Sequence, residues 1–254
     1  MADHVLTDTA DGVMVITINR PEVRNAINRA TAEALAAAAD ELDRRDDLTV
    51  GVLTGAGSSF CTGMDLKAFL AGERPTVDGR GFAGIAERPP AKPTIAAVEG
   101  YAVAGGFEIA LACDLIVAAQ DAVFGLPEVR RGLVAAGGGL LRLPARVPRA
   151  LAMEWALTGG WVPATRAAET FLVNRLAPPG KALDTALSLA RAIAANGPLA
   201  VRATKRILDE SPGWPATEAF ARQREISEPV RASRDAREGA EAFAEKRAPR
   251  WQGV

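Results

Sequence analysis

An α/β core followed by an all-helical C-terminal region is the fold class this sequence predicts. Four short β-branched runs, Val13 to Ile18, Val50 to Leu53, Thr94 to Val98 and Leu115 to Val117, read as buried strands, most of them trailed by glycine or proline. Helical stretches separate them, so strand and helix alternate. From about Pro163 onward the β-branched runs disappear and helical patterns take over.

The clearest early helix runs from Thr31 to Arg45, where Ala, Leu and Glu dominate and Asp40, Glu41 and Asp43 mark a solvated face. A short, almost wholly apolar helix, Phe107 to Cys113, follows the third strand. The later helices are read over Ala164 to Thr170, Lys181 to Ala195, Pro198 to Asp209, Pro215 to Ile226 and Asp235 to Lys246. Pro198 and Pro215 each suit a first helical turn, where a missing N–H costs nothing. Asn196-Gly197-Pro198 has the composition of a helix stop followed by a start, which divides the chain into a core, 1–196, and a helical region, 197–254. A helical piece of about 55 residues buries too little apolar surface to stand alone and is expected to pack on another subunit. The glycine- and proline-rich stretch from Gly72 to Arg88 is expected to be mobile.

With 254 residues, 48% of them hydrophobic, the chain has material for a substantial core. Thirty basic residues against 31 acidic ones leave a formal charge of -1, so no net field favours nucleic acid or an anionic membrane. The start, Met1-Ala2-Asp3-His4, has no basic region leading into an apolar run, and no stretch approaches the roughly 18 apolar residues that span a bilayer. A cytoplasmic protein is expected. Cys61 and Cys113 form no C-x-x-C pair and read as ordinary buried thiols. The one histidine, His4, lies in a terminus expected to be mobile, which leaves no histidine for a Ser-His-Asp arrangement or a His-rich metal site. Any catalysis then runs on carboxylates, lysines or backbone groups.

Two glycine segments invite a nucleotide reading. Gly55-Ala56-Gly57 ends a strand, but G-x-G-x-x-G needs glycine at 60, where Phe60 stands, and no G-x-x-x-x-G-K-[ST] occurs. The second, Gly100-Tyr101-Ala102-Val103-Ala104-Gly105-Gly106-Phe107-Glu108, links a strand to the apolar helix. Glycines there serve either tight helix-on-strand packing or close approach of a ligand to unpaired helix amides.

Two glutamates stand in apolar surroundings. Glu108 is bracketed by Phe107, Ile109, Ala110, Leu111 and Ala112. A carboxylate buried there must be paired or protonated, and burial moves its pKa toward neutrality, where acid and base chemistry operates. Its alternative role is a first-turn acid favoured by the helix dipole. Glu128 follows Pro127, and Pro-Glu is also a common way to open a helix.

Taken together, Ile95-Ala96-Ala97-Val98-Glu99-Gly100-Tyr101-Ala102, Gly105-Gly106-Phe107-Glu108, Ala112-Cys113-Asp114-Leu115, Phe124-Gly125-Leu126-Pro127-Glu128 and Phe60-Cys61-Thr62-Gly63-Met64-Asp65-Leu66-Lys67 closely resemble the signature of the crotonase (enoyl-CoA hydratase/isomerase) superfamily. The likeness runs in order from Ile16 to Arg247. Gly81-Phe82-Ala83-Gly84, Leu140 to Pro144 and Phe243 to Arg247 followed by Trp251 look most like its carnitinyl-CoA dehydratase (crotonobetainyl-CoA hydratase) branch. The sequence departs from the common pattern at Ala104, where many relatives have glycine, and at Ala135-Ala136, where many have Pro-Gly.

The resemblance implies a spiral of β-β-α turns whose helical C-terminal part builds trimers, usually paired as hexamers. It implies an acyl-CoA thioester substrate, CoA being part of that substrate, and no other cofactor or metal. The backbone amides of Met64 and Gly105 would form the oxyanion hole, and Glu108 and Glu128 would hold the reacting water, Glu128 exchanging a proton with the α-carbon. For CoA it points to Arg24, Asn25, Ala26, Met64, Asp65, Leu66 and Lys67, with Phe243 and Lys246 reaching over from a neighbour. Read alone, either lysine is a solvated surface charge. Hydration of a 2-enoyl-CoA is the activity implied, with carnitinyl-CoA dehydration and double-bond isomerisation as alternatives. A non-catalytic, RNA-binding homologue is the alternative of a different class.

Overall fold

The computed structural model describes residues 3–254. Its strands and helices in chain order are β1 (Val5–Ala10), β2 (Val13–Ile18), α1 (Arg29–Arg44), β3 (Val50–Gly55), α2 (Leu66–Leu70), β4 (Thr76–Val77), β5 (Gly81–Phe82), β6 (Thr94–Val98), β7 (Tyr101–Val103) and α3 (Gly105–Ala112). There follow β8 (Leu115–Ala119), β9 (Val123–Gly125), α4 (Gly139–Arg146), α5 (Arg149–Thr158), β10 (Val162–Pro163), α6 (Ala164–Glu169), β11 (Arg175–Ala177), α7 (Ala182–Ala194), α8 (Pro198–Glu210), α9 (Ala219–Arg231) and α10 (Arg234–Glu245).

The main sheet has the order β1-β2-β3-β6-β8-β11; β1 is antiparallel to β2 and the other pairs are parallel. Parallel strands covered on both faces are apolar on both, which is why β3 and β6 read as continuous runs rather than alternating ones. On one face Met14, Ile16, Ile18, Leu53, Ala96, Val98 and Ile116 pack with Leu35, Ala39 and Leu42 of α1. On the other, Val13, Val50, Val52, Ile95 and Val117 meet Ala186 and Ala190 of α7. Glu99, just past β6, fixes that helix by accepting the amides of Gly180 and Ala182 at 3.0 and 2.8 Å.

After β6 and again after β8 the chain turns sharply into a strand of a second sheet, β10-β9-β7, and then into helix. A bridge from Cys61 to Ala102 joins the preceding turn to this stack. Repetition of strand, strand and helix gives a spiral; in its second sheet β7 and β9 run parallel and β10 runs antiparallel to β9.

Two strands of the main sheet escaped the sequence reading, as did the five short strands outside it, β4, β5, β7, β9 and β10. β1 is a mostly exposed edge strand paired to β2 through Asp11-Gly12, both at positive φ, the Asp-Gly hairpin signal. β11 is only Arg-Leu-Ala, a piece whose strand conformation comes from pairing with β8 rather than from propensity. His4 is held in place by the same hairpin, contrary to the expected mobility: its carbonyl accepts the Asn19 amide at 2.8 Å and its Nδ1 lies 3.2 Å from Thr31 Oγ1. Met1 and Ala2, the rest of that terminus, lie outside the described residues. α9 starts at Ala219 rather than Pro215, because the Glu218 amide bonds the Pro215 carbonyl at 2.9 Å and closes a turn ahead of it.

The region from Gly72 to Arg88 is fastened rather than loose. Buried Arg80 donates to the carbonyls of Gly84 and Arg88 at 3.1 and 3.3 Å and pairs with Asp40 of α1. Beyond Gly197 the regular elements are all helical, and of residues 198–254 only Ile226, Asp235 and Ala242 are buried. Leu208, Phe220 and Phe243 are 68%, 73% and 86% exposed. No helix among the described residues is long and apolar enough to cross a membrane.

Candidate active site

The mouth of the site is built where the loop after β3, the start of α3 and the turn before α1 meet. Ile27 and Met64 form a parallel bridge, with the Ile27 amide on the Gly63 carbonyl at 2.8 Å and the Asp65 amide on the Ile27 carbonyl at 2.9 Å. This register leaves the Met64 amide between two used groups with no acceptor of its own among the described residues. Gly63 in turn abuts α3: a Cβ built on it would fall 2.8 Å from the Gly105 nitrogen. The Gly105 amide, first of the helix, also lacks an acceptor there, as helix-start amides do. Through Gly63, the neighbour of Met64, the turn that carries one of the two amides named by the resemblance is packed against the residue that carries the other.

Close approach requires glycine at 106 and leaves little room for a side chain at 105. A Cβ on Gly106 would lie 2.0 Å from the Cys61 carbonyl oxygen, and one on Gly105 2.5 Å from the ring of Phe82. Ala104, the cap of α3, sits at φ 51 and ψ -131, a region that only glycine enters without strain. Its amide bonds the Gly125 carbonyl at 2.8 Å, which holds it there. Ala104→Gly is therefore expected to raise stability by about 1 kcal/mol, the relief of strain exceeding the added entropy of the unfolded chain. A melting temperature no higher than wild type, at matched protein concentration, would contradict this.

All eight residues of α3 are buried, Glu108 among them. The Glu108 carboxylate accepts the Gly139 amide at 2.9 Å and faces the Gly137 amide. A Cβ on Gly137 would come within 2.7 Å of Glu108 Oε2, so the glycine loop ahead of α4 lies directly on the carboxylate. Burial pushes its pKa upward; the two amides and the Arg142 guanidinium partly oppose that.

Glu128 comes from a 3-10 helix, Pro127–Arg131, opened by Pro127 as the Pro-Glu pair suggested. Its Oε2 is buried without a hydrogen-bond partner among the described residues. On one side it lines an apolar cavity of about 490 Å³ with Leu126, Val134, Ala135, Leu143 and Met153. Desolvation by these walls, reinforced by the charge of Glu108, pushes its pKa up to about 7. A carboxyl raised from 4.5 to about 7 contributes full stability below the lower value and loses it as pH rises through the higher. Glu128→Gln should accordingly melt above wild type at pH 8, with the difference vanishing below pH 4.5; thermal scans at the two pH values decide it.

Arg24, Ala26, Asp65, Leu66 and Lys67 gather at the rim. Arg20 ties them, donating to the Ala26 carbonyl at 2.5 Å and to Asp65 at 3.0 Å. Asp65 caps α2 through the Lys67 and Ala68 amides, leaving Leu66 and Lys67 exposed. Exposed Arg24 lies 5.8 Å from the Tyr101 ring centre. Asn25 is fully buried, its side chain bonding the Ala56 and Ser59 carbonyls and the Arg20 amide, so it shapes the rim instead of facing a ligand. Phe243 and Lys246 are not brought to this rim by contacts in their own chain: both are exposed on α10 and its cap, and α10 packs on α9.

A family model described as enoyl-CoA hydratase/isomerase matches residues 8–254. The chain belongs to the enoyl-CoA hydratase/isomerase family. Its β-β-α spiral is the crotonase fold: it superposes on the crystal structure of enoyl-CoA hydratase EchA1 from Mycobacterium marinum with a TM-score of 0.98, at 61% identity over 100% of both chains. It is 42% identical to enoyl-CoA hydratase EchA19 of Mycobacterium tuberculosis, covering 97% of this chain and 96% of that one. To carnitinyl-CoA dehydratase of Salmonella arizonae it is 43% identical, covering 95% of each.

Against this enoyl-CoA hydratase/isomerase framework, Phe82 and Arg142 are residues at the site to which the sequence reading, though it quoted the segments that hold them, gave no role. The ring of Phe82 touches the positions of both Gly105 and Gly137. Arg142 bonds the Ala86 carbonyl at 2.5 Å. Neither carries a local signal: a phenylalanine in a glycine-rich loop and an arginine on an amphipathic helix look alike whether they line a site or a surface.

Proposed function

We propose that the chain adds water to a 2-enoyl-CoA thioester, or removes it from the 3-hydroxyacyl-CoA, using Glu108 and Glu128 and no other cofactor. The observation that carries this reading is the inequality of the two carboxyls. Glu108 is hydrogen-bonded by backbone amides, whereas Glu128 holds a buried, unpartnered oxygen whose pKa lies near 7. Environments that separate two carboxyls in this way assign a base and an acid.

In the hydration direction the thioester oxygen sits on the Met64 and Gly105 amides. Negative charge develops there as water adds, and fixed donors supply about 3 to 4 kcal/mol each. Glu108 takes a proton from the water as its oxygen bonds the β-carbon; Glu128 delivers a proton from Oε2 to the α-carbon. Retention of both glutamates favours hydration over isomerisation, which needs one. The formal charge of -1 speaks against an RNA-binding role.

Arg24, Asn25, Ala26, Met64, Asp65, Leu66 and Lys67 form the CoA rim of this reading, Asn25 through its backbone. Phe243 and Lys246 complete the rim from a neighbouring subunit, residues 197–254 acting as the trimerisation region and 1–196 as the catalytic core. The exposure of Leu208, Phe220 and Phe243 supports this, since such a region is covered when chains associate. Truncation after Gly197 should then abolish both assembly and CoA binding; an active monomer by light scattering contradicts it. The cytoplasmic reading comes from the sequence, and it is supported by two cysteines that are buried and free among the described residues.

The deciding experiment is a panel of 2-enoyl-CoA thioesters, crotonobetainyl-CoA included, followed by mass spectrometry for 3-hydroxyacyl-CoA. Failure of every 2-enoyl-CoA, with a 3-enoyl-CoA converted to its 2-isomer, would replace hydration by isomerisation.

A further inference from the structure

We propose that Arg142 is a positioning residue for this reaction: lodged against the Gly138 backbone and bonded to the Ala86 carbonyl, its guanidinium holds the glycine loop on Glu108 and sets a positive charge behind that loop. The inference rests on the hydration reading, in which Glu108 is the base.

The geometry is specific. A Cβ built on Gly138 would lie 2.1 Å from Arg142 Nη1, so the guanidinium is pressed on the back of the loop whose neighbouring residues, Gly137 and Gly139, face Glu108. Its Nη2 donates to the Ala86 carbonyl at 2.5 Å. Arg142 thereby fastens α4 to the segment that also carries Phe82 against Gly105 and Gly137. One side chain links both walls of the site.

The charge matters beyond the packing. Arg142 is half-buried, and a cation in that position needs a compensating anion. Glu108 is that anion: the attraction runs both ways, lowering the pKa of Glu108 and raising that of Arg142 against burial. The other charged groups nearby do not substitute. Glu128, from the 3-10 helix, is of like charge to Glu108. Arg131 faces Glu128, and Arg146, one turn beyond Arg142, donates to the Cys113 carbonyl. Without Arg142, a buried Glu108 would stay protonated to higher pH and be unable to accept a proton from water.

The test compares Arg142→Gln, which keeps a donor but no charge, with Arg142→Lys, which keeps the charge but not the fork. Two readouts are taken: the pH profile of kcat/KM for a 2-enoyl-CoA, and pH-difference infrared spectra of the ligand-free protein with Glu108→Gln as the blank. In Arg142→Gln the Glu108 carboxylate band and the acid limb should both move to higher pH, with kcat/KM at pH 6 falling about tenfold. In Arg142→Lys the band and the limb should stay with wild type. An unmoved Glu108 band in Arg142→Gln overturns the proposal, as does equal loss of activity in both variants with unmoved bands, the signature of a purely structural role. Should the Gln variant fail to fold by circular dichroism, Arg142→Met, which keeps the stem packed, takes its place with the same expectations. The infrared arm needs no turnover. A wild-type protein that hydrates nothing would therefore defeat the hydration reading while the assignment of Arg142 to Glu108 is still decided.

Discussion

Glu108→Gln and Glu128→Gln should each lower kcat about 100-fold or more, the usual scale of general acid–base catalysis, with little change in ligand affinity. Glutamine keeps the shape of each side chain. At 108 it can still accept the Gly139 amide, so the loop stays in place and only the base is lost. At 128 the buried oxygen becomes an amide that cannot deliver a proton. The two losses differ in kind, and deuterated water separates them: a 2-enoyl-CoA incubated with each variant is followed by mass spectrometry for 3-hydroxy product and α-deuterium. Isomerisation predicts another pattern, a crippled Glu128→Gln beside a tolerated Glu108→Gln. Near-wild-type hydration by either variant would remove that residue from the mechanism.

Gly106→Ala should destabilise the protein by about 3 kcal/mol or more, the upper end of overpacking costs, and should abolish turnover with it. The added methyl would meet the Cys61 carbonyl oxygen at 2.0 Å and its carbon at 2.6 Å. Both are backbone atoms, held by the Cys61 amide on the Tyr101 carbonyl and by the Val103 amide on the Cys61 carbonyl, so neither can yield without unseating α3. Gly105→Ala makes the instructive contrast, because its severe contact is with the ring of Phe82 at 2.5 Å, which can turn away, while the nearest backbone atom, the Gly63 Cα, is at 3.3 Å. It should be the milder change, and Phe82→Ala in the same chain should restore much of its kcat, since the Gly105 amide is still there to bind the thioester oxygen. Melting curves and kcat for the three variants and the double variant give the order. Equal damage at 105 and 106, unrelieved by Phe82→Ala, would refute this account of the helix start.

The sequence by itself determined the strands whose apolar runs are self-evident, β2, β3, β6 and β8, and most of the helices, because burial on both faces demands apolar residues and helix ends demand their own chemistry. It also determined that Glu108 would be a carboxylate in apolar surroundings, since every neighbour along its helix is apolar. Only the tertiary structure decided what that carboxylate meets. Gly139 and Arg142 lie more than thirty positions away, and Phe82 arrives from a hairpin whose glycines look mobile in the sequence until Arg80 and Asp40 are seen to pin it. β11 is a strand because β8 offers it hydrogen bonds, and β1 because Asp11-Gly12 folds it back. Propensity is a property of a few consecutive residues, whereas a site is a set of distances between residues far apart in the chain, and those distances exist only once the spiral has closed.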